Sequence, residues 1–335
     1  MRARIAPKTK SAVLALALFV SAASLLYAED RAAWMKQAKW GVMNHYLADL
    51  QPKAQHLTMS VNEWNKVIDN FDTEALAEQL HSVGASYYQI SIGQNSGYYL
   101  SPNPVYDKLT GIRPSKCSRR DLIADLFESL QKRKIRLIVY LPSGAPDQDK
   151  AAEAALEWRK GPYPNREFQL KWQQIIRYWS EHWGKNVSGW WFDGCYYPNS
   201  MYRSAKAPNF ASLAAAARAG NPDAIVAFNP GVYYRMFAMS PYQDFMAGEI
   251  DKPELVKINR STDGKSDGSQ IHMLSYLGQT WGQGMPRFTD EQAVGYSKKL
   301  WAEGGAVTWD VPVGLNGTIA QAFLDQLRAI GKAAN

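Results

Sequence analysis

Gly189-Trp190-Trp191-Phe192-Asp193-Gly194 is a short apolar run that ends in a single carboxylate and a glycine. Such a run is typical of a buried strand, and Asp193 stands where that strand would reach solvent. Enzymes built on (β/α)8 barrels carry their catalytic groups at the carboxyl ends of parallel strands. The stretch therefore predicts a strand whose last residue, Asp193, is a candidate catalytic carboxylate.

Seven further runs of this kind occur along the chain, and helical patterns follow most of them. The eight predicted strands are residues 40–45, 86–92, 135–141, 189–193, 224–229, 243–249, 271–277 and 306–312. Strands that alternate with helices pair in parallel through right-handed crossovers. We therefore predict an α/β fold of the (β/α)8 TIM-barrel type. The short connections after the fifth and sixth strands predict irregular units there.

Amphipathic spacing of apolar residues predicts the helices. They cover residues 72–83, 121–132, 166–183 and 319–330, and a further helix begins at Thr289-Asp290-Glu291. The segment 259–270 is rich in Ser, Asp, Gly and Lys, which predicts a loop.

The first 28 residues have the pattern of a secretory signal peptide, because basic residues precede a short apolar run and small residues follow it. An uncleaved N-terminal anchor is the alternative. We predict that residues 29–335 form a single (β/α)8 catalytic domain, secreted or periplasmic, without stable membrane insertion once the leader is removed.

Charge and cysteine content restrict the possible partners. The net charge of +7 includes the basic residues of the leader, so nucleic acid is not an expected partner. The two cysteines, Cys117 and Cys195, do not form a disulfide framework or a zinc-binding spacing. The sequence predicts neither a metal nor a cofactor.

A barrel would bring polar residues from several strand ends to one mouth. The candidates are the carboxylates Asp193, Glu249 and Asp310, the amides Asn44, Gln94, Asn95 and Asn229, and His45. Glycoside hydrolysis requires two carboxyl groups on opposite sides of one sugar, roughly 5–5.5 Å apart in retaining enzymes and roughly 6.5–9.5 Å apart in inverting ones. We predict Asp193 and Glu249 as this pair, with Asp251 and Glu254 as alternative proton donors.

Two other residues are candidates for sugar contacts. His45 ends the first strand, where it could bind a sugar hydroxyl, and the alternative is a hydrogen-bonded core histidine. Trp281 could stack on a sugar face. For Asp193 itself, the alternative is a helix cap or a buried structural carboxylate.

Several segments, in order, resemble the α-L-fucosidases of glycoside hydrolase family 29. The segments are WMKQAKWGVMNH at 34–45, GWWFDG at 189–194, AIVAFNPG at 224–231, QDFMAGE at 243–249 and GGAVTWDVPVGLNGTI at 304–319. The resemblance implies a retaining exo-glycosidase that releases a terminal α-L-fucosyl or related residue from a glycan through a covalent intermediate. It also implies that Asp193 is the nucleophile, Glu249 the acid/base and His45 a fucose contact.

This chain resembles a divergent member of that family, because several of its residues depart from the family pattern. Gln94 and Asn95 stand where the family has sugar-binding histidines, and Tyr46 replaces a tryptophan. The strand-five arginine is absent, with Arg235 nearby. Two alternatives therefore remain: a carbohydrate-binding barrel without catalysis, and a glycosidase for an altered, for example anionic, sugar contacted by Arg235 or Lys252.

Overall fold

The centre of the fold is a curled sheet of seven parallel strands, in a computed structural model that describes residues 30–51, 59–158, 165–196, 201–259 and 261–335. The strands of this sheet are β1 (Trp40–Asn44), β2 (Tyr87–Ser91), β3 (Arg136–Pro142), β4 (Gly189–Asp193), β5 (Ile225–Phe228), β8 (His272–Tyr276) and β9 (Ala306–Asp310). They lie in the order β5-β4-β3-β2-β1-β9-β8. A small antiparallel pair, β6 (Lys265–Ser266) with β7 (Ser269–Gln270), precedes β8.

Helices connect most of the strands. They are α1 (Ala33–Ala38), α2 (Val61–Asp69), α3 (Thr73–Val83), α4 (Pro104–Thr110), α5 (Leu122–Gln131), α6 (Lys150–Ala155), α7 (Arg166–Trp183), α8 (Phe210–Ala217), α9 (Asp290–Ala302) and α10 (Gln321–Ala334). Local sequence sets their ends: Asp72 accepts a hydrogen bond from the Ala75 amide at 2.9 Å, and Gly84 ends the same helix in the left-handed region.

Seven of the eight predicted strands are confirmed, and the sixth is wrong. Residues 243–249 lie beside β7 and β8 but join them only through isolated parallel bridges, Phe245 to Gln270 in β7 and Glu249 to Leu274 in β8. The sheet is therefore barrel-like without being a closed eight-stranded barrel.

Two features keep this segment from forming a regular strand. The Asp244 carboxylate, rather than a backbone carbonyl, accepts the hydrogen bond of the Val226 amide in β5, at 2.8 Å. Gly248 adopts a φ of +61°, and a Cβ there would lie 1.9 Å from the carbonyl oxygen of His272. The backbone of this segment thus approaches β8 more closely than a side chain at position 248 would allow.

The units around this segment are irregular, as predicted. A 3-10 helix (Pro253–Leu255) and the β6–β7 hairpin connect it to β8, so part of the predicted loop 259–270 is a hairpin. The predicted signal peptide lies outside the described residues. Ala32–Asn335 form one compact unit, and no helix of the described residues is long and apolar enough to cross a membrane.

Alternation along each strand divides the core into two layers. In β4, Trp190 and Phe192 pack towards the helices, whereas Trp191 belongs to the cluster enclosed by the sheet. Asp193 has the parity of Trp191, so its side chain continues the inner row. The curled sheet thus directs Asp193 into the mouth of the barrel-like structure.

Candidate active site

A cavity of about 270 Å³ opens at the carboxyl ends of the strands. It is lined by His45, Leu47, Asp49, Leu50, Gln94, Tyr140, Trp191, Asp193, Glu249, Leu274, Thr280, Trp281 and Gln283. Asp193 and Glu249, the two predicted catalytic carboxylates, both face this cavity.

A single amide nitrogen joins the two carboxylates. Nδ2 of Asn229 donates to Oδ1 of Asp193 at 2.7 Å and to Oε2 of Glu249 at 2.6 Å. Because both bonds leave one nitrogen, these two oxygens lie within about 5.3 Å of each other. Oδ1 of Asn229 accepts from the Gly231 amide at 3.0 Å, which fixes the orientation of the side chain.

Asp193 is held by further donors. The hydroxyl of Tyr140 donates to Oδ2, and the amide of Gly194 donates to Oδ1 at 2.7 Å. Nε2 of Gln94 donates to the Tyr140 hydroxyl at 2.7 Å. Burial, followed by the charge of Asp193, raises the pKa of Tyr140 well above its usual value, so the phenol keeps its proton. These contacts fix both oxygens of the Asp193 carboxylate.

Glu249 has the protonation behaviour of a general acid. Burial, followed by the negative charge of Asp193, raises its pKa from 4.5 to about 7. The hydrogen bond from Asn229 and the charge of His45 act in the opposite direction. At neutral pH a large fraction of Glu249 therefore carries a proton that it can donate.

His45 faces the cavity and is oriented by Asp310. Its Nδ1 lies 2.9 Å from Oδ1 of Asp310, whose Oδ2 accepts from the Gly282 amide at 2.6 Å. Burial lowers the pKa of His45, but the charge and hydrogen bond of Asp310, with Asp193 and Glu249, outweigh it, so the pKa is raised. The raised pKa favours the protonated form of His45 in this acidic cavity, and Asp310 acts through His45.

Aromatic rings form much of the remaining wall. Trp191 stacks on Tyr140, with ring centroids 5.1 Å apart and an interplanar angle of 16°. The Trp281 ring lies 5.7 Å from that of His45 and 4.7 Å from that of Tyr276. Apolar ring faces next to a few oriented polar groups are typical of sugar sites.

Two predicted sugar contacts on the first strand lie outside this cavity. Asn44 is buried, and its Nδ2 donates to the Val311 carbonyl at 2.7 Å. Tyr46 is also buried, and its hydroxyl donates to the Leu315 carbonyl at 2.5 Å. Both residues flank His45 and therefore point to the opposite side of the chain. Their polar groups already have hydrogen-bond partners, because Oδ1 of Asn44 also accepts from the Tyr88 hydroxyl at 2.9 Å.

Other candidates also lie away from the cavity. Arg235 is exposed and donates to Oδ1 of Asn259 at 3.2 Å. Asp251 accepts from the Tyr234 hydroxyl at 2.8 Å, and Glu254 is exposed on the 3-10 helix. Of the three candidate proton donors, only Glu249 lines the cavity.

Sequence reasoning missed several residues of the site. The cavity-lining residues that were not predicted include Tyr140, Trp191, Asp49, Thr280 and Gln283. Tyr140 and Trp191 follow the inward parity of their strands, which the sequence pattern could have revealed. Asn95, by contrast, lines a neighbouring cavity that shares Gln94 and Asp193 with the first.

The charge of the cavity is mostly negative. Asp49, Asp193 and Glu249 line it together with His45, and none of its described lining residues is a lysine or an arginine. Within the described ranges, no group of three or more His, Cys, Asp or Glu side chains is placed to hold a metal ion. Cys195 is free and buried, and burial raises the pKa of its thiol to about 12.

Comparisons with protein-family models and with curated protein sequences find no match. Among solved structures, the chain is similar to the endo-fucoidan hydrolase MfFcnA4 of glycoside hydrolase family 107, at 17% identity and a TM-score of 0.69, over 90% of this chain and 53% of that one. A second family 107 enzyme, P5AFcnA, matches at 17% identity and 0.68, over 91% and 93% of the two chains. The α-L-fucosidase AlfC from Lactobacillus casei, in complex with α-L-fucose, matches at 16% and 0.61, over 91% and 98%.

These likenesses show the fold. The chain spans about half the length of MfFcnA4 and nearly all of AlfC. Because the neighbours include family 107 fucoidan hydrolases as well as α-L-fucosidases, they do not single out family 29. The fold is a barrel-like α/β architecture that this chain shares with family 107 endo-fucoidan hydrolases and with α-L-fucosidases.

Proposed function

We propose that the protein is a retaining glycosidase that hydrolyses an α-L-fucosyl or related sugar bond. The observation that carries this proposal is the pair of carboxylates, Asp193 and Glu249, bridged by Asn229 in one cavity. Both hydrogen bonds leave one nitrogen, so the two bridged oxygens are at most about 5.3 Å apart. This upper limit favours the carboxyl separation of roughly 5–5.5 Å in retaining enzymes over the roughly 6.5–9.5 Å of inverting ones.

Asp193 is the nucleophile in this proposal. Its carboxylate is oriented by Tyr140, Asn229 and Gly194, and it would attack the anomeric carbon to form a covalent glycosyl-enzyme intermediate. The glycosidic bond breaks as this bond forms, and the electron pair leaves with the glycosidic oxygen. Water later releases the sugar and regenerates the carboxylate.

Glu249 is the acid/base. With its pKa raised to about 7, it would protonate the departing oxygen in the first step and take a proton from water in the second. In the ester intermediate, Asp193 no longer contributes the negative charge that helps to raise the pKa of Glu249. Losing that charge lowers the pKa of Glu249 when it has to act as a base.

The cavity favours one neutral sugar. Its volume of about 270 Å³ lies just below the range of roughly 300–1,000 Å³ for small-molecule sites, which fits a monosaccharide unit. Three acidic residues and one histidine line it, with no described lysine or arginine, so it lacks the fixed cation that an anionic sugar would need. Support for fucose comes from the fold shared with an endo-fucoidan hydrolase and an α-L-fucosidase.

The test is a panel of aryl glycosides assayed with the wild type and three variants. We expect turnover of an aryl α-L-fucoside with retention of anomeric configuration, followed by NMR. Asp193→Asn should lower kcat by about a thousandfold or more. Glu249→Gln should lower kcat by about a hundredfold or more for an aryl fucoside whose phenol is a poor leaving group. The loss should be much smaller for a dinitrophenyl fucoside.

Asp251→Asn is the matched control, because Asp251 is a neighbouring acid outside the cavity, and its activity should stay within about twofold of wild type. Undiminished turnover by Asp193→Asn, or inversion at the anomeric carbon, would contradict the assignment. A large loss in Asp251→Asn, with Glu249→Gln close to wild type, would assign the proton donor to Asp251 instead.

A further inference from the structure

A second cavity, of about 400 Å³, adjoins the first. It is lined by Gln94, Asn95, Pro142, Gly144, Ala145, Asp147, Trp158, Asp193, Gly194 and Tyr196. Gln94 and Asp193 belong to both cavities. The proposed nucleophile therefore stands at the boundary between two spaces, each large enough for a sugar ring.

The second cavity has aromatic walls and amides at its entrance to the first. The Trp158 ring is buried, 4.5 Å from the ring of Phe168, and a Cβ at Gly144 would lie 2.8 Å from it. The backbone at Gly144 thus packs directly on this ring. Tyr196 is 45% exposed, which leaves its ring available to a ligand. Such aromatic surface beside Gln94 and Asn95 suits a pyranose ring.

The position of Glu249 decides which part of a glycan this cavity can hold. A leaving group must be within reach of the acid, and Glu249 lines only the first cavity. The nucleophile attacks on the face opposite the leaving group, and Asp193 is the carboxylate that the second cavity shares. The second cavity therefore suits a substituent of the sugar that is being hydrolysed better than it suits the leaving group.

We propose that the second cavity binds a further pyranosyl unit attached to a hydroxyl of the sugar in the first cavity. This inference rests on the proposed function and deepens it. The enzyme would then accept an internal residue of a glycan chain. The exo mode expected from the sequence would accept only a terminal residue. Tyr196 supplies stacking surface for the additional unit.

Calorimetric titration of the Glu249→Gln variant tests the second cavity, because its slow turnover permits binding measurements and Glu249 does not line this cavity. The probes are methyl α-L-fucoside and the α-1,2-, α-1,3- and α-1,4-linked methyl L-fucobiosides. We expect at least one fucobioside to bind about tenfold or more tighter than the monosaccharide. Adding Tyr196→Ala should bring that ratio close to one.

Tyr242→Ala in the same background is the control, since Tyr242 is similarly exposed, at 49%, and lines neither cavity. It should keep the ratio, and monosaccharide affinity in each variant reports that the first cavity is intact. With wild type, the 4-nitrophenyl glycoside of the preferred fucobiose should release nitrophenol together with intact disaccharide.

Equal affinity for all probes, a gain that survives Tyr196→Ala, or release of fucose before nitrophenol would overturn the second-cavity proposal. Those results leave hydrolysis of a simple aryl fucoside untouched. Conversely, tight fucobioside binding without turnover of any glycoside by wild type would refute the proposed function and retain the cavity. Neither turnover nor binding would refute both.

Discussion

Asn229 sets the balance between the two carboxylates of the site. Its one nitrogen donates to Asp193 and Glu249, and its oxygen is held by the Gly231 amide. Burial and the charge of Asp193 raise the pKa of Glu249, whereas the Asn229 bond lowers it. The value of about 7 is therefore a compromise, and Asn229 prevents the proton from being held too tightly to donate.

Replacing Asn229 should move the pH profile in a defined direction. Without its hydrogen bond the pKa of Glu249 rises, so the acid form persists to higher pH. In Asn229→Ala we expect the alkaline limb of kcat/KM to shift upward by about one pH unit, and kcat to fall about tenfold or more. Asn259→Ala, outside the cavity, should leave the limb in place. A limb that stays or moves to lower pH would contradict this role.

Strand parity explains which contacts the sequence could predict. His45 and Asp310 occupy inward positions and were predicted, and they meet in the structure. Asn44 and Tyr46 were also predicted from their nearness to the strand end, but both occupy outward positions. The hydrogen bonds of Asn229 depend on how the fifth and sixth units approach each other. Distances across the mouth of this kind have no sequence signature.

At the scale of elements, the segment 243–250 departs most from the predicted pattern. Its apolar residues alternate as in a strand, with Phe245 and Ala247 turned inward. The pattern alone therefore predicts a strand. The left-handed Gly248 and the Asp244 side chain, which replaces a backbone partner, interrupt the ladder. Because residue 248 is a glycine, the backbone can pass close to β8 immediately before Glu249.

Gly248→Ala should destabilise the fold strongly. A Cβ there would lie 1.9 Å from the His272 carbonyl oxygen, at a φ of +61°. We expect a loss of about 2 kcal/mol or more in the free energy of unfolding, measured with denaturant. Gly268→Ala is the matched control, since Gly268 has a φ of +79° and a Cβ there meets nothing within 4 Å. Equal losses in the two variants would show that the close approach has no energetic consequence.

At the scale of the molecule, alternating strands and helices predicted the fold well. Seven strands and the helices α3, α5, α7, α9 and α10 were predicted from periodicity, and α7 has the predicted bounds, whereas the shorter α2, α4 and α6 were not predicted. The sequence also predicted a closed barrel, and the structure does not have one. Closure depends on backbone hydrogen bonds between distant segments, which periodicity does not report. His272 belongs to this closing region: its Nδ1 lies 2.9 Å from the Met246 carbonyl, and its Nε2 lies 2.7 Å from the Thr308 hydroxyl.

His272 should make stability depend on pH. Burial lowers its pKa from 6.5 to about 4. As the pH falls below 6.5, the unfolded chain takes up a proton that folded His272 does not, so stability decreases. Between pH 7 and 5 we expect a loss of about 2 kcal/mol from this residue. In His272→Gln, the free energy of unfolding should depend less on pH over this range. His81 is exposed on α3, and His81→Gln should keep the wild-type dependence. Identical profiles for wild type and His272→Gln would exclude this contribution.

The placement of Glu249 has a consequence for how the enzyme would be inactivated. The proposed proton donor lies on the segment that joins β7 and β8 by isolated bridges, while the nucleophile ends a strand that pairs with β3 and β5. Sparsely bonded regions open at lower free energy than continuous ladders. Gentle heating would therefore break the contacts beside Glu249 first. Catalytic activity would then be lost while most of the sheet was still folded.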